Sequence, residues 1–136
     1  MKLRIRGNSL RLRLTKSEAA EIGAGRIVEE TVEFGVIPGQ QFVYALVPSD
    51  CKQVTASFEE ARIAIFVPYT EAASWAQSSR IGIEAEKFLD DSRALRILIE
   101  KDFACLEPRP GEEDADTFVN PLLGETEGQI ILSTAS

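Results

Sequence analysis

The sequence holds no histidine, only two cysteines, one methionine and one tryptophan in 136 residues. Without histidine, catalytic triads built on an imidazole base are excluded, and so are zinc sites made from His and Cys. Acid–base or metal chemistry is left to carboxylates, lysine, tyrosine or thiols. Cys51 and Cys105 are too few for a disulfide framework and do not form a C-x-x-C pair. They read as small buried or half-buried side chains, and a reactive thiol at Cys105 would need Lys101 or Arg109 to activate it. No apolar run reaches the roughly 20 residues that span a bilayer. The opening Met1–Arg6 has no apolar stretch of secretory length, so a cytoplasmic protein without a membrane segment is the expectation.

What is present is ordinary for a globular domain: 44% apolar and 27% charged residues. A chain of this length can bury a core without a metal or disulfide staple. The net charge of −7 is spread unevenly. The first 16 residues carry six basic side chains (Lys2, Arg4, Arg6, Arg11, Arg13 and Lys16) and no acid, while the rest is strongly acidic. Such polarity marks an anion-binding surface or internal ion pairing. The overall acidity argues against general nucleic-acid binding.

Strict alternation over residues 2–6 and 9–14, joined by Gly7-Asn8, predicts a β-hairpin with leucine and isoleucine on one face and arginine on the other. Thr15-Lys16-Ser17-Glu18 is a capping box for a short helix to about Ile22, which Gly23-Ala24-Gly25 stops. Strands follow at about 26–34 and 41–47. The second half predicts strands at 54–58 and 62–67, a helix over 70–75 opened by Pro68, and strands at 80–88 and 94–100. Trp75 reads as a core anchor. Gly23-Ala24-Gly25 follows a helix instead of opening one, so it is not a phosphate loop.

The halves align at a shift of about 53 residues. Leu10, Leu12 and Leu14 fall on Ile63, Ile65 and Val67, Ser17–Ala20 on Thr70–Ala73, and Ile22 on Trp75. One inserted residue then brings Glu30 onto Glu84 and Phe34 onto Phe88, and Phe42–Val47 falls on Leu95–Glu100. Self-similarity at a fixed shift points to duplication. The expectation is therefore an α+β fold: an eight-stranded, mainly antiparallel sheet from two β-β-α-β-β repeats with two short helices, either a barrel or a pseudo-two-fold sandwich. Residues 1–106 form one duplicated domain, with repeats at about 1–50 and 51–106. Residues 107–136 form an acidic tail, read as a solvated segment or as a flap on the basic hairpin. Within it, Ile130-Ile131-Leu132 could form an edge strand or meet a partner.

The arginines have two uses. They can pair with acids on other strands, such as Glu29, Glu30, Glu33, Glu84 and Glu86, or they can hold a phosphate or carboxylate, for which the guanidinium fork is shaped. On the second use, Arg4, Arg6, Arg11, Arg13 and Lys16 bind an anionic small molecule or an acidic peptide segment. No residue is assigned a catalytic role and no cofactor is required. A homo-oligomer is compatible with the pattern.

The hairpin Leu3-Arg4-Ile5-Arg6 with Leu10–Lys16 resembles that of the CYTH, or triphosphate tunnel metalloenzyme, family. The resemblance implies an eight-stranded antiparallel tunnel, Arg4 and Arg6 as phosphate ligands with Lys16 as a weaker one, and hydrolysis of triphosphate or polyphosphate. It also implies Mg²⁺ or Mn²⁺ held by glutamates, for which Glu84 and Glu86 are the available pair. The family's opening Glu-x-Glu-x-Lys strand is not matched ahead of Lys2, and in Ile83-Glu84-Ala85-Glu86-Lys87 the lysine comes one residue early. The chain as a whole also resembles a family of small bacterial proteins of unknown function, through its opening Met1–Thr15 and the late Ile99-Glu100-Lys101-Asp102-Phe103-Ala104-Cys105-Leu106.

Overall fold

The fold is described from a computed structural model, which covers residues 1–103 and Phe118. Eight strands and two helices run in the order β1 (Lys2–Arg6), β2 (Ser9–Leu14), α1 (Lys16–Gly23), β3 (Val28–Glu33), β4 (Gln41–Ser49), β5 (Thr55–Glu59), β6 (Arg62–Pro68), α2 (Tyr69–Gln77), β7 (Gly82–Phe88) and β8 (Ala94–Lys101). The first hairpin has the predicted bounds. Gly7 turns it at φ +56°, a conformation that costs glycine nothing. The capping box of α1 is formed. Thr15 Oγ1 accepts from the Glu18 amide at 3.3 Å, and Glu18 Oε1 accepts from the Thr15 amide at 2.9 Å.

The strands do not form one antiparallel sheet, and they do not close into a barrel. They make two four-stranded mixed sheets: sheet A in the order β1-β2-β8-β7 and sheet B in the order β3-β4-β6-β5. Each helix carries the chain from one sheet to the other, so the two hairpins of a repeat never share a sheet. Strands from different repeats therefore meet at each sheet's centre, and they run parallel: β2 with β8 and β4 with β6. Four edges remain, at β1, β7, β3 and β5.

The pairing registers of the two halves match at a fixed shift. Leu10 pairs with Ile97 in sheet A, and Ile63 pairs with Tyr44 in sheet B; each residue stands 53 positions from its counterpart. The third strands need a correction. Val28 pairs with Leu46 and Ile83 with Ile99, so Ile83 stands where Val28 does. Two residues are inserted after the second helix, not one, and Glu84 corresponds to Glu29 instead of Glu30.

Both sheets turn one face onto a shared core. Leu10, Leu12, Leu14, Ile97 and Ile99 of sheet A meet Leu46, Ile63, Ile65 and Val67 of sheet B. Each such side chain contributes roughly 1.5–3 kcal/mol on full burial. Ala19 and Ile22 of α1, with Ala72 and Trp75 of α2, complete it. The indole N–H of Trp75 donates to the Ile81 carbonyl at 3.0 Å. The helices approach so closely that a methyl added at Gly23 would lie 2.5 Å from Ala76 Cβ. Among the described residues no helix is long and apolar enough to cross a membrane.

Candidate functional site

Period-2 geometry turns the other face of sheet A away from the core. The pairing registers arrange it in three rows across the four strands: Lys2–Arg13–Glu100–Gly82, Arg4–Arg11–Leu98–Glu84, and Arg6–Ser9–Arg96–Glu86. Four of the five predicted anion ligands and both predicted metal ligands thus share one face. Cations fill its β1–β2 half, and carboxylates stand on β8 and β7. Lys16 is not on this face: it is the exposed first residue of α1.

Two arginines converge on one carboxylate. Arg11 Nε and Arg13 Nε each lie 2.6 Å from the same Oε1 of Glu100. Arg13 is only 8% exposed, so its charge is held in a partly desolvated place where pairing counts for more than at the surface. Lys2 Nζ is 3.2 Å from Asp102 Oδ2. Arg96 Nε and Glu86 Oε2 are 3.7 Å apart on the exposed far side. A shallow groove of about 740 Å³ crosses this face, lined by Ser9, Arg11, Glu84, Glu86, Arg96 and Leu98 among others.

Internal pairing is thus present, but through other partners than those expected from the sequence. Glu29 pairs with Arg62 in sheet B, and Glu30 accepts the α-ammonium of Met1 at 2.9 Å, which Glu18 also holds. Sequence reasoning missed Glu100, because the parallel pairing that sets it beside Arg13 joins strands from different repeats. Glu84 and Glu86 stand together on β7, yet among the described residues no three His, Cys, Asp or Glu side chains group closely enough to hold a metal ion.

Lys101 is the other charged group that sequence reasoning placed only as a neighbour of Cys105. The last residue of β8, it is 6% exposed. Its Nζ donates to the Ser78 carbonyl at 2.7 Å and sits 5.8 Å and 5.2 Å from the ring centroids of Trp75 and Phe118. Burial pushes its pKa below the ordinary 10.5. Phe118 is tied down beside it: its amide donates to the Asp102 carbonyl at 2.8 Å, and its ring meets Phe103 edge-on. Cys51 is a half-buried free thiol. Cys105, the acidic tail and Ile130–Leu132 lie outside the described residues.

Sheet B has the same rows with different chemistry. Where sheet A has Arg11, Arg13, Leu98 and Glu100, sheet B has Ala64, Phe66, Ala45 and Val47. The outer face of sheet B also carries charge, at Glu29, Glu33, Glu59 and Arg62, but the cluster of arginines belongs to sheet A.

A family model matches residues 1–122, and its description is Family of unknown function (DUF7009). No match is found among curated proteins, and none among solved structures.

Proposed function

We propose that this chain, which belongs to the family of unknown function DUF7009, is a non-enzymatic binding domain that takes an anionic partner on the β1–β2 half of sheet A. The observation that carries this reading is the convergence of Arg11 and Arg13 on one Glu100 oxygen. This face already holds a carboxylate between two guanidinium groups. Beside it, β1 presents Arg4 and Arg6 on the same face and adds no acid. Arginine forks suit carboxylate and phosphate equally, and clustered positive charge raises the encounter rate with anions.

The test is calorimetric titration with tripolyphosphate and with a glutamate-rich peptide. Tight binding that weakens steeply with salt is expected, as is a loss of about tenfold in Arg4→Ala/Arg6→Ala, near 1.4 kcal/mol. Equal binding by wild type and double variant would remove the basis of the reading. A metal-dependent triphosphate hydrolase is less favoured: two open sheets replace the tunnel that the hairpin resemblance implies. Mg²⁺ or Mn²⁺ at Glu84 and Glu86 would also need further oxygen donors.

A further inference from the structure

The edge of sheet A at β1 differs from its counterpart in a way that specifies the partner. In sheet A, Asn8 O accepts from the Arg96 amide at 3.0 Å and Leu14 O accepts from the Asp102 amide at 2.8 Å. The even-numbered residues of β2 therefore point their main chain at β8, and the odd-numbered ones point theirs at β1. Since Lys2, Arg4 and Arg6 pair with Arg13, Arg11 and Ser9, these three bond inward. Leu3 and Ile5 turn their N–H and C=O groups outward, away from β2.

Strand β5 is built the same way, with Ala56 in the place of Leu3 and Phe58 in the place of Ile5. There the edge is capped: Lys87 of β7 donates its ammonium to Ala56 O at 2.6 Å. In the other half Val32 occupies the position of Lys87, and a valine side chain has no proton to donate. Leu3 and Ile5 have no hydrogen-bond partner across that edge among the described residues, and Ile5 is 58% exposed.

We infer that β1 is the docking edge for an extended acidic peptide, which adds to sheet A as a fifth strand; this rests on the binding reading above. An antiparallel strand here would exchange main-chain hydrogen bonds with Leu3 and Ile5. Residues opposite those two would lie on the apolar side, against Leu3 and Ile5. Alternate residues would stand opposite Lys2, Arg4 and Arg6, within the roughly 4.5–5.5 Å of a cross-strand pair. Carboxylates at those alternate positions are what the edge selects. Basic side chains on an edge strand ordinarily keep other strands away. The same charge admits an acidic strand while turning away neutral and basic ones, which is specificity by repulsion.

The experiment uses the full chain and a capped pentapeptide that alternates glutamate and valine, in two forms. One has normal amides; the other is N-methylated at both valines, which keeps the carboxylates but removes the donors facing Leu3 and Ile5. Strand addition predicts at least a tenfold weaker titration for the methylated form. It also predicts slowed hydrogen exchange at the Leu3 and Ile5 amides with the unmodified peptide. Equal affinity for both forms, with Arg4→Ala/Arg6→Ala still weakening each, overturns strand addition and leaves the anion-binding reading standing. Failure of both the unmodified peptide and tripolyphosphate to bind overturns both.

Discussion

Glu100 answers to Arg11 and Arg13 together, so its replacement tests how much the face depends on one carboxylate. In Glu100→Gln the amide keeps the size but removes the carboxylate that Arg11 and the buried Arg13 share. Breaking a buried pair from one side costs about 3–5 kcal/mol. With Arg11 partly exposed, roughly 1–3 kcal/mol is expected, read as a lower denaturation midpoint. The same variant should bind added anions more tightly, because a competing carboxylate is gone. Lys101 gives a test by pH. Its folded-state pKa lies below 10.5, so the unfolded chain holds more protons in the window between the two values. Wild-type stability contributed by this group therefore rises with pH as 10.5 is approached, and levels off above it. Lys101→Met keeps the apolar stem and should remove that rise, checked by denaturation at a series of alkaline pH values. Trp75 fluorescence reports the same titration, since the ammonium lies over its ring.

At the scale of elements, α1 and α2 pack through a contact that admits no side chain at Gly23. Gly23→Ala would drive a methyl into Ala76 and is expected to cost about 1–3 kcal/mol by overpacking. Pairing it with Ala76→Gly should restore part of the loss, and a double-mutant cycle measures that coupling. Removing the α1 cap with Thr15→Ala should cost about 1 kcal/mol. The elements themselves were legible in the sequence for local reasons. Alternation marks β1 and β2, and Thr15 with Glu18 announces α1. What lay beyond local signals was α2's true start at Tyr69, and the place where β3 and β7 begin. α2 follows β6 without a break, and β3 and β7 each follow a four-residue connection, 24–27 and 78–81, that has no period of its own.

At the scale of the molecule, the self-similarity of the two halves was legible and the arrangement of their strands in sheets was not. Residue patterns in each half look like a self-contained unit, because each hairpin carries its own turn and its own alternation. Nothing local shows that the hairpins of one repeat part into different sheets, since that outcome depends on where the helices lead the chain. The same fact hid Glu100 from view and made the parallel central pairs unexpected. The contrast between the halves was legible, and its meaning has become specific. Arginines cluster on the outer face of sheet A, Ala64 and Phe66 stand at the corresponding places of sheet B, and the edge beside the arginines lacks the lysine cap that closes its twin. The most direct measurement is a map of backbone amide shifts during titration with the glutamate–valine peptide. The account predicts changes concentrated at residues 2–13 of the first hairpin, with the largest at Leu3 and Ile5 and little movement at Ala56 or Phe58. Changes centred on sheet B, or none at saturating peptide, would contradict it.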